Sequence, residues 1–180
     1  LDKVGEGQAA EADKQLKALA ANASPGYRAA ARIEQANILA STGKTKEAAA
    51  LLGQVAADDK ADKALRDLAL IRQTSLELES LKPEAVIARM APIVSAKDPV
   101  SSWFASAAEL TAISHYRLGQ MDKAGALFGQ IAKLPDVAPS LKSRAVQMAG
   151  MLGVDAVNDA ASKAPAAKQA GDATKTEGSN

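Results

Sequence analysis

The chain has 180 residues, 47% of them hydrophobic, enough for one core-bearing domain with or without a tail. Only 3% are aromatic while 42 are alanine, so the core must come from close backbone approach, which favours helix on helix and no sheet. A balance of 22 basic against 21 acidic residues leaves no footprint for nucleic acid or an anionic membrane surface, and the absence of cysteine removes disulfides, thiolate metal sites and Cys nucleophiles.

The first expected helix runs over residues 6–21, where Ala9, Ala12, Leu16, Leu19 and Ala20 fall on one face. Asn22-Ala23-Ser24-Pro25-Gly26 then supplies a stop, because the proline disfavours helix before it and the glycine is free to take positive φ. Tyr27 to Thr42 follows as a second helix with Tyr27, Ala31, Ile33, Ala36, Ile38, Leu39 and Ala40 as a wide apolar stripe, ended by Gly43. Lys44 to Ala57 resumes with Ala48, Leu51, Leu52 and Val55, so an antiparallel pair is expected.

After the charged break Asp58-Asp59-Lys60, residues 61–81 read as a long helix with Leu65, Leu68, Ala69, Ile71, Leu76 and Leu78 inward. Pro83 opens the next helix, to Ser95, with Val86, Ile87, Met90, Ile93 and Val94 inward and Pro92 set to kink or shorten it. Lys97-Asp98-Pro99 is a turn before a helix from Val100 to Leu118, which Gly119 stops, and a partner from Met121 to Lys133. Pro135 and Pro139 bracket a loop, and Ser140 to Leu152 makes a last helix with Leu141, Ala145, Met148, Ala149 and Met151 apolar. The domain is therefore 1–152. Residues 153–180 hold almost no large apolar side chain to offset their ordering entropy and read as a mostly disordered tail, with at most a weak helix through Val157. No apolar stretch reaches the roughly 18–20 residues that span a bilayer.

A self-match at an offset of 76 residues carries the fold argument: Ala36, Gly43, Ala48, Leu52 and Val55 against Ala112, Gly119, Ala124, Phe128 and Ile131. A small residue on each helix and a glycine between them let two axes approach, while the larger residues fill the seam behind. The tetratricopeptide (TPR) pattern puts a small residue and then Tyr in its first helix and Ala-x-x-x-Phe in its second. Ala124-x-x-x-Phe128 matches it, and Ala48-x-x-x-Leu52 matches with a conservative change. Leu39 and His115 take the Tyr place, Arg32 and Ala108 stand for the usual Trp, and Pro135 comes one residue early. Ala61 to Ser95 fits one degenerate repeat with a lengthened first helix. The expected fold is all-α, a short right-handed α-solenoid of TPR-like pairs with about eight helices.

The run Gly26-Tyr27-Arg28-Ala29-Ala30-Ala31-Arg32-Ile33, with Ala36-Asn37-Ile38-Leu39-Ala40-Ser41-Thr42-Gly43-Lys44, resembles the bacterial family of membrane-anchored, TPR-like proteins that includes the ancillary subunit of the Sec translocon. The resemblance spans about residues 6–152 in helix order and turn placement. It implies a transmembrane helix ahead of Leu1, a periplasmic helical domain at the inner membrane, and a role beside secretion or envelope-protein folding.

Chemistry-bearing residues read as structural. His115, the one histidine, has no motif that places a carboxylate beside it, and it stands in a packing slot. Gly43-Lys44-Thr45 lacks the earlier glycine and the strand of a phosphate loop, and Ser41-x-x-Lys44 lacks the companion motifs of Ser-Lys acyl enzymes. Asp58-Asp59 and Glu77-x-Glu79 have too few ligands for a calcium loop. Trp103-Phe104 reads as a plug between repeats, with a hot-spot anchor as the rival. No cofactor, metal or small-molecule substrate is expected.

In such solenoids the first helices of successive pairs line a concave, partner-gripping surface. Helix periodicity projects Ile33, Asn37 and Ser41 onto it, then Arg72, then Glu109, Ile113, Tyr116 and Arg117. Asn37 suits a carboxylate clamp, but Ile33 stands where its lysine is needed. The expected function is a non-enzymatic protein-binding scaffold for translocon or envelope proteins. Its rivals are a soluble cytoplasmic TPR adaptor, an enzyme using His115, and a helical-repeat RNA binder lacking its basic stripe.

Overall fold

The computed structural model describes residues 2–96 and 102–155, and over them the chain is helical with no strand. Eight helices follow in order: α1 (Asp2–Asn22), α2 (Pro25–Ser41), α3 (Thr45–Ala56), α4 (Lys63–Glu77), α5 (Pro83–Val94), α6 (Phe104–Arg117), α7 (Met121–Lys133) and α8 (Pro139–Met151). Consecutive helices pack on one another, while α2, α4 and α6 also touch and so form one layer of a helical-repeat solenoid.

Proline and glycine set the helix ends. Pro25, Pro83 and Pro139 open α2, α5 and α8, where a missing N–H costs nothing because the first-turn donors have no intrahelical partner. The break after α1 is therefore narrower than expected, with Pro25 and Gly26 already inside α2. At the other end, Gly43 and Gly119 take φ of 79° and 71°, and the residue after each donates its N–H back across the turn, Lys44 to the Leu39 carbonyl and Gln120 to the His115 carbonyl. Gly153 ends α8 in the same way at φ 77°, with Val154 donating to the Ala149 carbonyl. This third turn, 34 residues after Gly119, is a repeat boundary that the sequence comparison missed.

The 76-residue match holds in three dimensions. Ala36 and Ala112, Ala48 and Ala124, Leu52 and Phe128, Val55 and Ile131 are all buried in matching seams. Three core clusters result: one across α2, α3 and α4, one across α4, α5 and α6, and one across α6, α7 and α8. Buried hydroxyls do not break them, since Thr74, Thr111 and Ser114 each donate to the carbonyl one turn back.

The middle unit departs from expectation. Its first helix is not lengthened: α4 has 15 residues against 17 in α2, and Leu78 to Ser80 form a turn. α4 packs mainly on α3 and only lightly on α5, so the middle unit is split between its neighbours. Pro92 lies in the last turn of α5, which ends two residues later, shortened as proline demands. The expected turn at 97–99 and the helix start at 100 lie outside the described residues, as does the tail from 156 onward; α6 itself begins at Phe104.

The first helix is the other departure. Ala9, Ala12, Leu16 and Ala20 are only half-buried and Leu19 is 52% exposed, and no described α1 side chain joins a core cluster. What holds α1 on α2 includes the buried Gln35 amide, which donates to Asp13 Oδ1 at 3.1 Å. Lys17 pairs with the same carboxylate at 2.7 Å, and its hydrogen bond is the main reason that Asp13 ionises below the usual carboxylate range despite partial burial.

Candidate partner-binding surface

The layer of α2, α4 and α6 carries the residues projected to meet a partner, and the structure sorts them. Ile33 is 4% exposed and belongs to the α2–α3–α4 core with Ala29, Ala36 and Leu52. Its place on the binding face is corrected: α3 and α4 cover the side of α2 that carries it. Ile113 is partly buried against the α6–α7–α8 cluster and contributes an edge only.

Arginine rungs tie several of the polar members to neighbouring helices, though only Asn37 and Arg72 bond to each other. Arg72 of α4 donates to the Asn37 side-chain Oδ1 on α2, and the Asn37 amide nitrogen in turn donates to Glu34 Oε2 at 3.0 Å. Arg117 of α6 donates to the Leu78 carbonyl at the end of α4, at 2.8 Å. Arg144 of α8 grips Glu109 of α6 with two bonds, Nε to Oε1 at 2.9 Å and Nη2 to Oε2 at 3.2 Å. That carboxylate also holds the Arg144 guanidinium above its ordinary pKa. In each rung an arginine of the later helix reaches an acceptor on the earlier one, 35 or 39 residues back.

Sequence periodicity missed Arg144 and Glu34. The signal available for the first was the repeated spacing, Asn37 to Arg72 and Glu109 to Arg144, both 35 residues. No family model, curated protein or solved structure matches the chain.

Of the projected residues, Ser41, Tyr116 and Arg117 present side chains outward. Ser41 turns its hydroxyl back to the Ile38 carbonyl at 2.9 Å, which leaves Tyr116, 43% exposed, as the large apolar contact on this face. His115 is half-buried rather than packed in the Tyr slot. Its Nδ1 lies 2.7 Å from Gln120 Oε1, and its carbonyl accepts the Gln120 N–H, so it braces the Gly119 turn.

The aromatic pair divides between two cores. Trp103 packs on the α4–α5–α6 cluster and donates its indole N–H to the Ala64 carbonyl at 2.9 Å, while Phe104 packs on the α6–α7–α8 cluster. The pair plugs the seam. Among the described residues no three His, Asp or Glu side chains converge as metal ligands; Asp58 accepts the Lys60 N–H, and Glu77 pairs with Arg89. No helix among them is long and apolar enough to cross a membrane.

Two open clefts flank α1. A mixed one of about 390 Å³ lies where α1 and α2 meet α3, lined by Asp13, Lys17, Arg32, Gln35 and Glu47 together with Leu39 and Leu51. A more apolar groove of about 450 Å³ runs between α1 and α2 over Ala12, Gln15, Leu16, Leu19, Glu34 and Ile38.

Proposed function

We propose that the chain is a non-enzymatic, TPR-like scaffold that holds other proteins on the face made by α2, α4 and α6. The observation that carries this reading is the side-by-side alignment of those three helices, cross-tied by arginine rungs and offering Tyr116 outward at one end. Tyrosine gives a large, stiff, amphipathic contact at low entropic cost, and a pre-tied surface has little left to order on binding. The resemblance of residues 26–44 to the membrane-anchored TPR-like family supports a scaffold at the periplasmic side of the inner membrane that assists secreted or envelope proteins.

The test is a photo-crosslinking amino acid in place of Tyr116 in living cells, with identification of the adducts. Discrete adducts to envelope or secretory proteins are expected. Recovery of random abundant proteins alone would defeat the reading.

A further inference from the structure

Each later helix pair in the chain has a cover. α2 lies across α3 and α4, α4 across α5 and α6, and α6 across α7 and α8. The pair α1 and α2 packs together as those pairs do, yet among the described residues no helix lies across it. The place a cover would take is the groove of about 450 Å³ over Leu16, Leu19, Glu34 and Ile38.

The seated covers say what the groove is shaped for. α6 meets α7 and α8 with a face of Phe104, Ala105, Ala108, Ala112 and Ile113, and sets Glu109 against Arg144. Arg144 stands nine residues ahead of Gly153; the residue nine ahead of Gly43, at the same place on α2, is Glu34. The polarity is reversed, because Glu34 accepts where Arg144 donates. Its single side-chain partner is the neutral Asn37 amide, and no cation among the described residues pairs with it.

We infer that the α1/α2 groove is a docking site for an amphipathic helix of another protein. The incoming helix seats small and aliphatic side chains on Leu16, Leu19 and Ile38 and sets a Lys or Arg against Glu34. It extends the α2–α4–α6 layer by one helix. This rests on the scaffold reading but uses a different surface from Tyr116, so either can fail without the other.

The probe is a fluorescent peptide with the sequence of residues 102–118, used as it stands and with Glu109→Arg, titrated with the full chain and followed by anisotropy. The Glu109→Arg peptide is expected to bind about tenfold tighter than the unaltered one, the worth of one favourable against one unfavourable charge contact. In the Glu34→Arg protein that order reverses. Leu19→Glu, at a side chain already exposed and with folding checked by circular dichroism, weakens both peptides by about tenfold or more. The inference is overturned if neither peptide binds, if the charge order does not reverse, or if Leu19→Glu changes nothing. It is also overturned if sedimentation shows the unlabelled chain pairing with itself through a contact that Leu19→Glu abolishes, since a second copy would then be the occupant.

Discussion

The glycines at 43, 119 and 153 separate backbone from side-chain effects. Gly119 sits at φ 71° with open space where a Cβ would go, so Gly119→Ala meets no neighbour and its cost is the left-handed backbone alone. We expect a loss of about 1–2 kcal/mol. Gly150, inside α8 and equally uncrowded, gives the opposite sign: Gly150→Ala should stabilise by up to about 1 kcal/mol through helix propensity. Urea midpoints of the two variants check both, and equal signs would refute the assignment of Gly119 as a left-handed cap. Glu109 and Arg144 make a forked pair, but the arginine is more than half exposed, so a double-mutant cycle should return a coupling of only about 0.5–1 kcal/mol. The turns at Gly43 and Gly119 were readable in the sequence outright, because a left-handed cap needs a residue type rather than a neighbour, whereas the Glu109–Arg144 pair was not. Gly153 escaped because the residues after it do not repeat the Ala-x-x-x-Phe pattern.

At the scale of helices, the first and third seams set one large residue against several alanines. Phe128 fills the α6–α7–α8 seam as Leu52 fills that of α2–α3–α4. Phe128→Ala should cost about 3–5 kcal/mol in denaturant unfolding, and Phe128→Leu much less, because the repeat uses leucine in the same slot. The attachment of α1 is of another kind, polar and pH-dependent. The Asp13 carboxyl titrates below its unfolded value of about 3.9, so its contribution is fully present above that pH and is lost as pH falls through the lowered folded value. Urea midpoints measured below about pH 4 should therefore fall less steeply for Asp13→Asn than for the parent, and parallel curves would remove Asp13 from the account. That α1 is a helix was legible from its spacing. That its apolar face stays open was not, because periodicity marks a face without saying what covers it.

Across the whole molecule, stability in a solenoid is a sum of units and nearest-neighbour junctions. The weak junction is α4 to α5, where direct packing is light and Ile71 of α4 reaches the buried cluster of Val86, Met90, Ile93, Ala107 and Leu110. Ile71→Ala should remove about 2–5 kcal/mol there and uncouple the halves. The single tryptophan, Trp103, packs on that junction cluster, so its fluorescence transition should come at lower urea than the loss of helical circular dichroism. Coincident transitions would show that the junction is no weaker than the rest. The sequence reading took residues 61–95 as one paired unit and so did not see this division, because the packing partners of α4 and α5 depend on their angle in space and not on their order in the chain.

What the sequence by itself determined was the set of helices, two of the three glycine turns and the small-against-large seams. Each of these follows from backbone preference and a spacing along one helix. The tertiary structure alone decided which sides of those helices meet. It buried Ile33, which periodicity had put on the binding face, and left Leu19 open, which periodicity had put on an apolar stripe. It also tied Asn37 to Arg72 and Glu109 to Arg144. Such contacts join side chains 35 residues apart in sequence, and their existence depends on how neighbouring helix axes are rotated, which no single helix encodes.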